Sequence, residues 1–433
     1  MTEQDLADLL REHAFAHGVP GAAIGVLRDG VETFAWYGIA NARTGAPVTA
    51  ESRFGVGSLT KSMVATVVAR LAEDGRLSLD DPVVAHAPEL RGATWAERAT
   101  VRDLLANRSG LPLRVALEFD FAAQDDEDDD VLSRFAARVA AEEPTSVDWS
   151  YTNAGWCVLG RSIETVTGSV WEEAMCAELF APTELRETTF ATESDSNARV
   201  SGHELTADGA VPVEPLVARR FGPAGTSVVS TVGDMLRFAA LHLDDPTLAT
   251  LRHLEATPRI HGWLDGWCLG WGRFDWEGGR VWGWDSVLNG ERAVLRLVPE
   301  RHAAVVLMTN SNTGRALYRS LFPDLMQSLF GISVPPLRLD AEPGAAGDLS
   351  RFAGVYGWPD RRVEVTATQT CLLIKNERGE SEALPLDERT FLVDSTNPDN
   401  PTVTFGAFDA AGRPRVLYVM LWALPRLDDE LNA

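Results

Sequence analysis

Two groups of short strand-like runs, separated by about 200 residues of helical periodicity, constrain this 433-residue chain more than any other feature. The first group is Ala22-Ala23-Ile24-Gly25-Val26-Leu27 and Val31-Glu32-Thr33-Phe34-Ala35-Trp36-Tyr37, with Arg28-Asp29-Gly30 as a hairpin turn between them. The second is Ala293-Val294-Leu295-Arg296-Leu297-Val298 and Ala303-Ala304-Val305-Val306-Leu307-Met308, joined by a Pro299-Glu300-Arg301-His302 turn and followed by a helical pattern over 313–330. An amphipathic helix over 2–17 precedes both groups. Between them, Lys61 to Asp74 and Ala154 to Thr167 carry clear helical periodicity. The economical arrangement is one antiparallel sheet made of the first and last strands, at 15–50 and 265–330, with an all-helical insertion over about 58–260. A junction of that kind favours a pocket.

Pro335-Pro336 and Pro343-Gly344-Ala345-Ala346-Gly347 predict a linker over 334–350 that ends a first domain of residues 1–333. Beyond it the pattern becomes short alternating runs, among them Val363-Glu364-Val365, Cys371-Leu372-Leu373-Ile374 and Val416-Leu417-Tyr418-Val419-Met420. Their spacing predicts a small antiparallel β-barrel over 351–433. The fold class expected is therefore α/β (α+β): an antiparallel sheet flanked by helices, a large helical insertion and a C-terminal barrel.

Composition narrows the function. The chain carries 39 basic against 63 acidic residues, a net charge of −24, and no basic tract, which argues against nucleic-acid or anionic-membrane partners. The acidic segment Met1 to Leu10 lacks the positive residues and apolar core of a secretory signal, and no run approaches a membrane span, so a cytoplasmic location is expected. Cys157, Cys176, Cys268 and Cys371 are widely spaced and form no CxxC, so they are expected to be reduced thiols, mostly buried. The eight histidines are scattered, and neither a metal site nor a cofactor is expected. The acidic tract Asp125-Asp126-Glu127-Asp128-Asp129-Asp130 is expected to be a solvated loop, with a cation site as the alternative.

Ser58-Leu59-Thr60-Lys61 stands where Phe54-Gly55-Val56-Gly57 gives way to a helical run. Residues three apart share a helix face, so the Lys61 amine can reach the Ser58 hydroxyl. Serine is a poor nucleophile until a base takes its proton, and a buried lysine can be that base. An N-cap serine followed by a surface lysine would give the same four letters. Tyr151-Thr152-Asn153 adds a phenol that can relay protons and an amide that can orient Lys61 or a substrate carbonyl. A packed tyrosine beside a helix-capping asparagine is the structural alternative. The chain contains only two lysines, Lys61 and Lys375, against 37 arginines. Arginine stays protonated and cannot replace a lysine base.

Together these segments resemble the serine β-lactamase and penicillin-binding-protein-like superfamily, in its class C β-lactamase, esterase and D-aminopeptidase branch. The resemblance covers roughly 15–330 and includes Gly75-Arg76-Leu77-Ser78-Leu79-Asp80-Asp81-Pro82 and the segment from Thr100 to Pro112. Leu159 to Gly168, Pro223-Ala224-Gly225 and Leu269-Gly270-Trp271 also fit. It implies Ser58 as nucleophile, Lys61 as general base assisted by Tyr151, Asn153 as a positioning group and the Ser58 N–H as one oxyanion donor. The family's third motif, usually Lys-Thr-Gly or His-x-Gly, corresponds to Trp284-Asp285-Ser286, which leaves the Val287 N–H as candidate second donor. The missing cation weakens any claim to a carboxylate-bearing substrate. Ser286 carries a Cβ where the family has glycine.

Six tryptophans crowd into Trp263, Trp267, Trp271, Trp276, Trp282 and Trp284; most are expected in sheet packing, with Trp284 and Trp271, alongside Asp285 and Ser286, as pocket candidates. Arg219, Arg220, Arg292 and Arg296 are candidate replacements for the absent cation, or ordinary surface residues. The C-terminal part resembles lipocalin-like modules that follow some members of the branch, through Phe352-Ala353-Gly354-Val355-Tyr356 and its strand spacing; it is expected to be a structural cap, with a wall that shapes substrate access as the alternative.

The expected function is a serine hydrolase or transacylase that forms a Ser58 acyl-enzyme from a small-molecule ester, thioester or amide. Acyl transfer to an amine or alcohol, including peptide cyclisation, is the rival within the enzyme class. A non-catalytic binding module on the same fold is the rival outside it. The sequence does not specify an oligomeric state.

Overall fold

The computed structural model describes residues 1–111, 128–142, 147–191, 199–258, 260, 264–336, 347–358, 361–377, 379–394 and 401–427. Trp263, Pro112, Asp125-Asp126-Glu127 and most of the expected linker, 337–346, lie outside the described residues.

The hairpin Gly21–Arg28 and Val31–Asn41 pairs through its first strand with Ala303–Thr309, so the two ends of the first region meet in one sheet. All eight strands are antiparallel, in the spatial order Ala46–Pro47, Val31–Asn41, Gly21–Arg28, Ala303–Thr309, Glu291–Val298, Gly279–Leu288, Gly272–Trp276, Gly266–Trp267. The two central strands are buried along almost their whole length. Both faces are covered, which is why their sequences read as continuous apolar and small residues. Helices Glu3–Ala16 and Gly314–Phe330 pack together against the sheet, and Val232–Asp244 packs on its central strands. The first helix starts with a capping box formed by Thr2 and Asp5.

The insertion carries the helices Thr60–Glu73, Val131–Val139 and Asn153–Thr167. It is not helical throughout. Phe54–Gly55, Val228–Ser230 and Thr189–Phe190 form a three-stranded sheet, and His203–Thr206 pairs with Gly209–Pro212. Strands of two to four residues are too short for alternation to show in the sequence. The three-stranded sheet matters for the site, because it fixes Phe54–Gly55 immediately ahead of Ser58. Helix Thr60–Glu73 is buried on nearly every side from Thr60 to Val68, as expected for a helix wedged between sheet and insertion.

The C-terminal strands, from Gly354–Trp358 to Trp422–Pro425, follow one another in chain order around an eight-stranded antiparallel barrel. Its first and last strands meet where Leu427 N–H donates to Val355 O at 2.7 Å, beside a Tyr356–Arg426 bridge. The interior is filled by Phe352, Phe391 and Phe405, with ring centroids 4.8 to 5.5 Å apart, and by Tyr356 and aliphatic side chains. Trp358, Val416, Tyr418, Leu421 and Ala423 belong instead to the main core, so the barrel is seated on the first region through its last hairpin and the end of its first strand. Among the described residues no helix is long and apolar enough to cross a membrane.

Candidate active site

Ser58 lies in a 3₁₀ turn, Gly57–Leu59, that leads directly into helix Thr60–Glu73. Gly57 has φ 56°, and the space a side chain would need there is taken by Ser286 Oγ, 2.2 Å from an ideal Cβ. The turn is also clamped from Gly225, whose own Cβ would stand 2.3 Å from Gly57 O and 2.8 Å from Ser58 N. One residue earlier, Ala224 O accepts a hydrogen bond from Lys61 Nζ at 2.5 Å.

Lys61 is fully buried. Its amine donates to Ser58 Oγ at 3.2 Å and to Asn153 Oδ1 at 2.9 Å, and sits 4.9 Å from the centroid of the Tyr151 ring. The Lys61 amine is thus surrounded by a hydroxyl, an amide oxygen and a backbone carbonyl. Asn153 begins helix Asn153–Thr167, but the N-cap is Thr152, whose hydroxyl accepts from Gly155 N–H. Tyr151 stands just outside that helix and is buried. Its hydroxyl accepts from the Trp284 indole at 3.3 Å, with the two rings 5.4 Å apart.

Trp284, Asp285 and Val287 lie on strand Gly279–Leu288. Its neighbour Gly272–Trp276 pairs with it only as far as Gly272 opposite Gly283, so 284–288 form an edge on that side. A cavity of about 370 Å³ opens against this edge. It is lined by Ser58, Tyr151, Asn153, Trp284, Asp285 and Val287, with Leu216, Phe221, Leu288, Met420, Leu421 and Trp422 making most of the remaining wall apolar. Glu291, on the next strand, accepts from Gly55 N–H at 2.8 Å and pairs with Arg199 at 3.3 Å, tying the approach to Ser58 to the third-motif turn. Burial pushes the Glu291 carboxyl up against the opposing pull of Arg199.

The remaining candidates fall elsewhere. Ser286 is buried against Gly57, and Trp271 is buried against Phe238 and His242; neither lines the cavity. Strand alternation explains Ser286, which faces away from its neighbours Asp285 and Val287. Of the described tryptophans in the cluster, Trp267 and Trp271 are fully enclosed, and Trp284 lines the cavity. None of Arg219, Arg220, Arg292 and Arg296 lines it. Arg219 pairs with Glu172, and Arg296 with Asp285. The four cysteines are free, with Cys176 exposed and the others buried. Among the described residues no cluster of His, Cys, Asp or Glu could hold a metal ion.

The sequence left the barrel as a structural cap or a wall that shapes substrate access, and it did not single out the last barrel hairpin. Tyr151 N–H donates to Leu421 O at 3.1 Å, and Ala423 N–H donates to Ser150 Oγ at 3.2 Å, so the tip between Pro414–Val419 and Trp422–Pro425 runs alongside the tyrosine segment. The available signal was the apolar tip Met420-Leu421, where a solvent-facing hairpin would carry polar turn residues.

The beta-lactamase family model matches residues 6–324. The chain belongs to this family. Its match to penicillin-binding protein 4 of Amycolatopsis lactamdurans is 32% identical over 376 residues, 82% of this chain and 96% of that protein. The solved structure of SurE is similar over 98% of this chain and 99% of its own, with a TM-score of 0.81 and 28% identity, so the likeness includes the barrel. The D-amino acid amidase from Ochrobactrum anthropi SV3 shares the fold over 75% of this chain and 98% of its own, with a TM-score of 0.64 and 21% identity. The chain therefore has the serine-hydrolase fold of the family, with relatives of the acyl-transfer type.

Proposed function

We propose that the protein is a serine hydrolase or transacylase that forms an acyl-enzyme on Ser58 from an ester, thioester or amide. The observation that carries this is the buried Lys61 amine within hydrogen-bond reach of the Ser58 hydroxyl, at the head of a cavity sized for a small acyl group. In this mechanism the Ser58 oxygen bonds to the carbonyl carbon while Lys61 takes the hydroxyl proton. Tyr151 passes a proton to the leaving group as its bond to that carbon breaks, and takes back the proton that Lys61 received from Ser58. Asn153 holds the Lys61 amine, and the Ser58 and Val287 N–H groups receive the developing oxyanion. Water then releases the acyl group, regenerating Ser58.

Transfer to an amine or alcohol is the second version. It is favoured by the apolar roof that Met420, Leu421 and Trp422 place over the cavity, since excluding water protects an acyl-enzyme for another acceptor. A cytoplasmic setting in small-molecule or natural-product metabolism belongs to the same proposal.

Mass spectrometry after treatment with a fluorophosphonate tests the common step. An adduct on Ser58 that is lost in Ser58→Ala and strongly slowed in Lys61→Ala is expected. No adduct, or equal labelling of the lysine variant, favours a non-catalytic binding module. Partitioning of the acyl-enzyme with added amines and alcohols separates hydrolysis from transfer.

A further inference from the structure

Asp285 is the one acidic or basic side chain among the described residues lining the Ser58 cavity; Lys61 lies behind Ser58, outside the lining. The Asp285 side chain is partly accessible, at 16%, and its position is fixed from behind. Arg296 Nη2 stands 2.5 Å from Asp285 Oδ1, and the same guanidinium donates to Tyr318 Oη at 2.8 Å and to Trp284 O at 3.2 Å. It also lies 4.3 Å from the Phe274 ring centroid and is 1% exposed. Gly283, opposite Arg296 in the register, makes this possible, since a Cβ there would stand 3.0 Å from Arg296 Cδ. Arginine thus holds one edge of the carboxylate, and a carboxylate has about four acceptor sites on its two oxygens.

Asp285 also lines a second cavity, of about 520 Å³, between the sheet and the barrel, shared with Arg296, Tyr318, Trp276, Asp387 and Arg389. The aspartate stands where the two cavities adjoin. A ligand reaching Ser58 meets an acceptor-only group set in an otherwise uncharged wall.

The geometry points to Asp285 as the anchor for a protonated primary amine on the substrate. This rests on the reading of Ser58 as nucleophile and names the substrate class of that site. The amine has two sources, the acyl donor itself or an acceptor. As acceptor it first releases one proton to solvent. Its nitrogen then bonds the acyl carbon, the Ser58 Oγ–carbon bond breaks, and the second proton passes through Lys61 to Ser58 Oγ.

Binding is measured first, without turnover, by calorimetry on Ser58→Ala protein with norleucinamide, hexanamide and adipic acid monoamide, which differ in charge on a common chain. Norleucinamide is expected to bind at least tenfold more tightly than hexanamide, and the anionic ligand weakest. Asp285→Asn is expected to bring norleucinamide to the level of hexanamide. The double variant Asp285→Asn/Arg296→Met, which leaves no buried arginine unpaired, is expected to behave alike. Equal binding of norleucinamide and hexanamide, or a preference for the anion, overturns the proposal, as does an unchanged preference in both variants.

Turnover of wild-type protein separates the sources. Faster hydrolysis of p-nitrophenyl norleucinate than of p-nitrophenyl hexanoate assigns the amine to the donor. Saturable conjugation of norleucinamide onto the hexanoyl group assigns it to the acceptor. Neither behaviour, in protein whose Ser58 takes a fluorophosphonate, overturns the proposal. An amine preference in binding with no labelling of Ser58 instead counts against the catalytic reading alone.

Discussion

Replacing Gly225 by alanine tests whether the position of the Ser58 backbone limits the rate. Gly225 has φ 125°, a conformation that costs an L-residue about 1 to 3 kcal/mol. The added methyl carbon would stand 2.3 Å from Gly57 O, 2.4 Å from Gly57 C and 2.8 Å from Ser58 N. All three are backbone atoms, so no rotamer change relieves them. Restoring contact distance requires a movement of about 1 Å, and a misplacement of that size costs about 100-fold in rate, or about 2.7 kcal/mol. The assay is the second-order rate of fluorophosphonate labelling of Ser58, followed by intact mass, alongside thermal unfolding. Labelling about 100-fold slower is expected, with a melting temperature lowered by a few degrees. Labelling within threefold of wild type would refute the claim that the Gly57–Ser58 turn must be held where it is.

Four further outcomes are expected. Lys61→Arg keeps the positive charge but supplies no base, so labelling should fall about 1000-fold while circular dichroism is unchanged. Trp284→Phe removes the 3.3 Å indole donor to Tyr151 and keeps a ring against it, so kcat should drop about threefold to tenfold with little change in melting temperature, read from ester turnover. Leu421→Ala truncates a side chain that is 6% exposed and shared by core and cavity; it should cost about 2 to 5 kcal/mol in denaturant unfolding and raise KM for apolar acyl esters. Burial pushes His242, bonded to Thr66 at 2.9 Å, down to about 3. Between about pH 6.5 and 3 the unfolded chain therefore binds a proton that the native state refuses, and stability falls as pH falls, by up to about 1.4 kcal/mol per unit. Denaturant unfolding of His242→Gln across that range should show a flatter acid limb.

The sheet and barrel were legible because their strands are long enough for alternation or a continuous apolar run to show, as in Ala303–Thr309 and Arg361–Ala367. The Ser58–Lys61 contact was legible from a spacing of three, and Tyr151 and Asn153 from their place before a helical run. Facing was not legible in the third motif. Period two separates Trp284 and Ser286 from Asp285 and Val287, yet Trp284 and Asp285 both reach the cavity while Ser286 is used up against Gly57. Nor was the barrel's approach to Tyr151, because it depends on a backbone carbonyl at Leu421, and a backbone group has no sequence signature of its own.

The exchange at position 284 separates two properties that a cation there would combine. A tryptophan keeps a hydrogen-bond donor on the Tyr151 oxygen, an interaction confined to one atom pair at 3.3 Å. It takes away a positive charge, whose field would extend over the whole cavity and become stronger as water is excluded. Proton transfer needs the local donor, whereas recognition of a charged substrate responds to the field. With Lys61 turned toward Ser58, Asn153 and Ala224 O, and Arg296 buried behind Asp285, the charged group that a ligand can reach is the aspartate, paired on its far edge with that arginine. On the proposed function, the exchange would leave the proton transfers at Ser58 in place while altering which charge on a substrate is favoured.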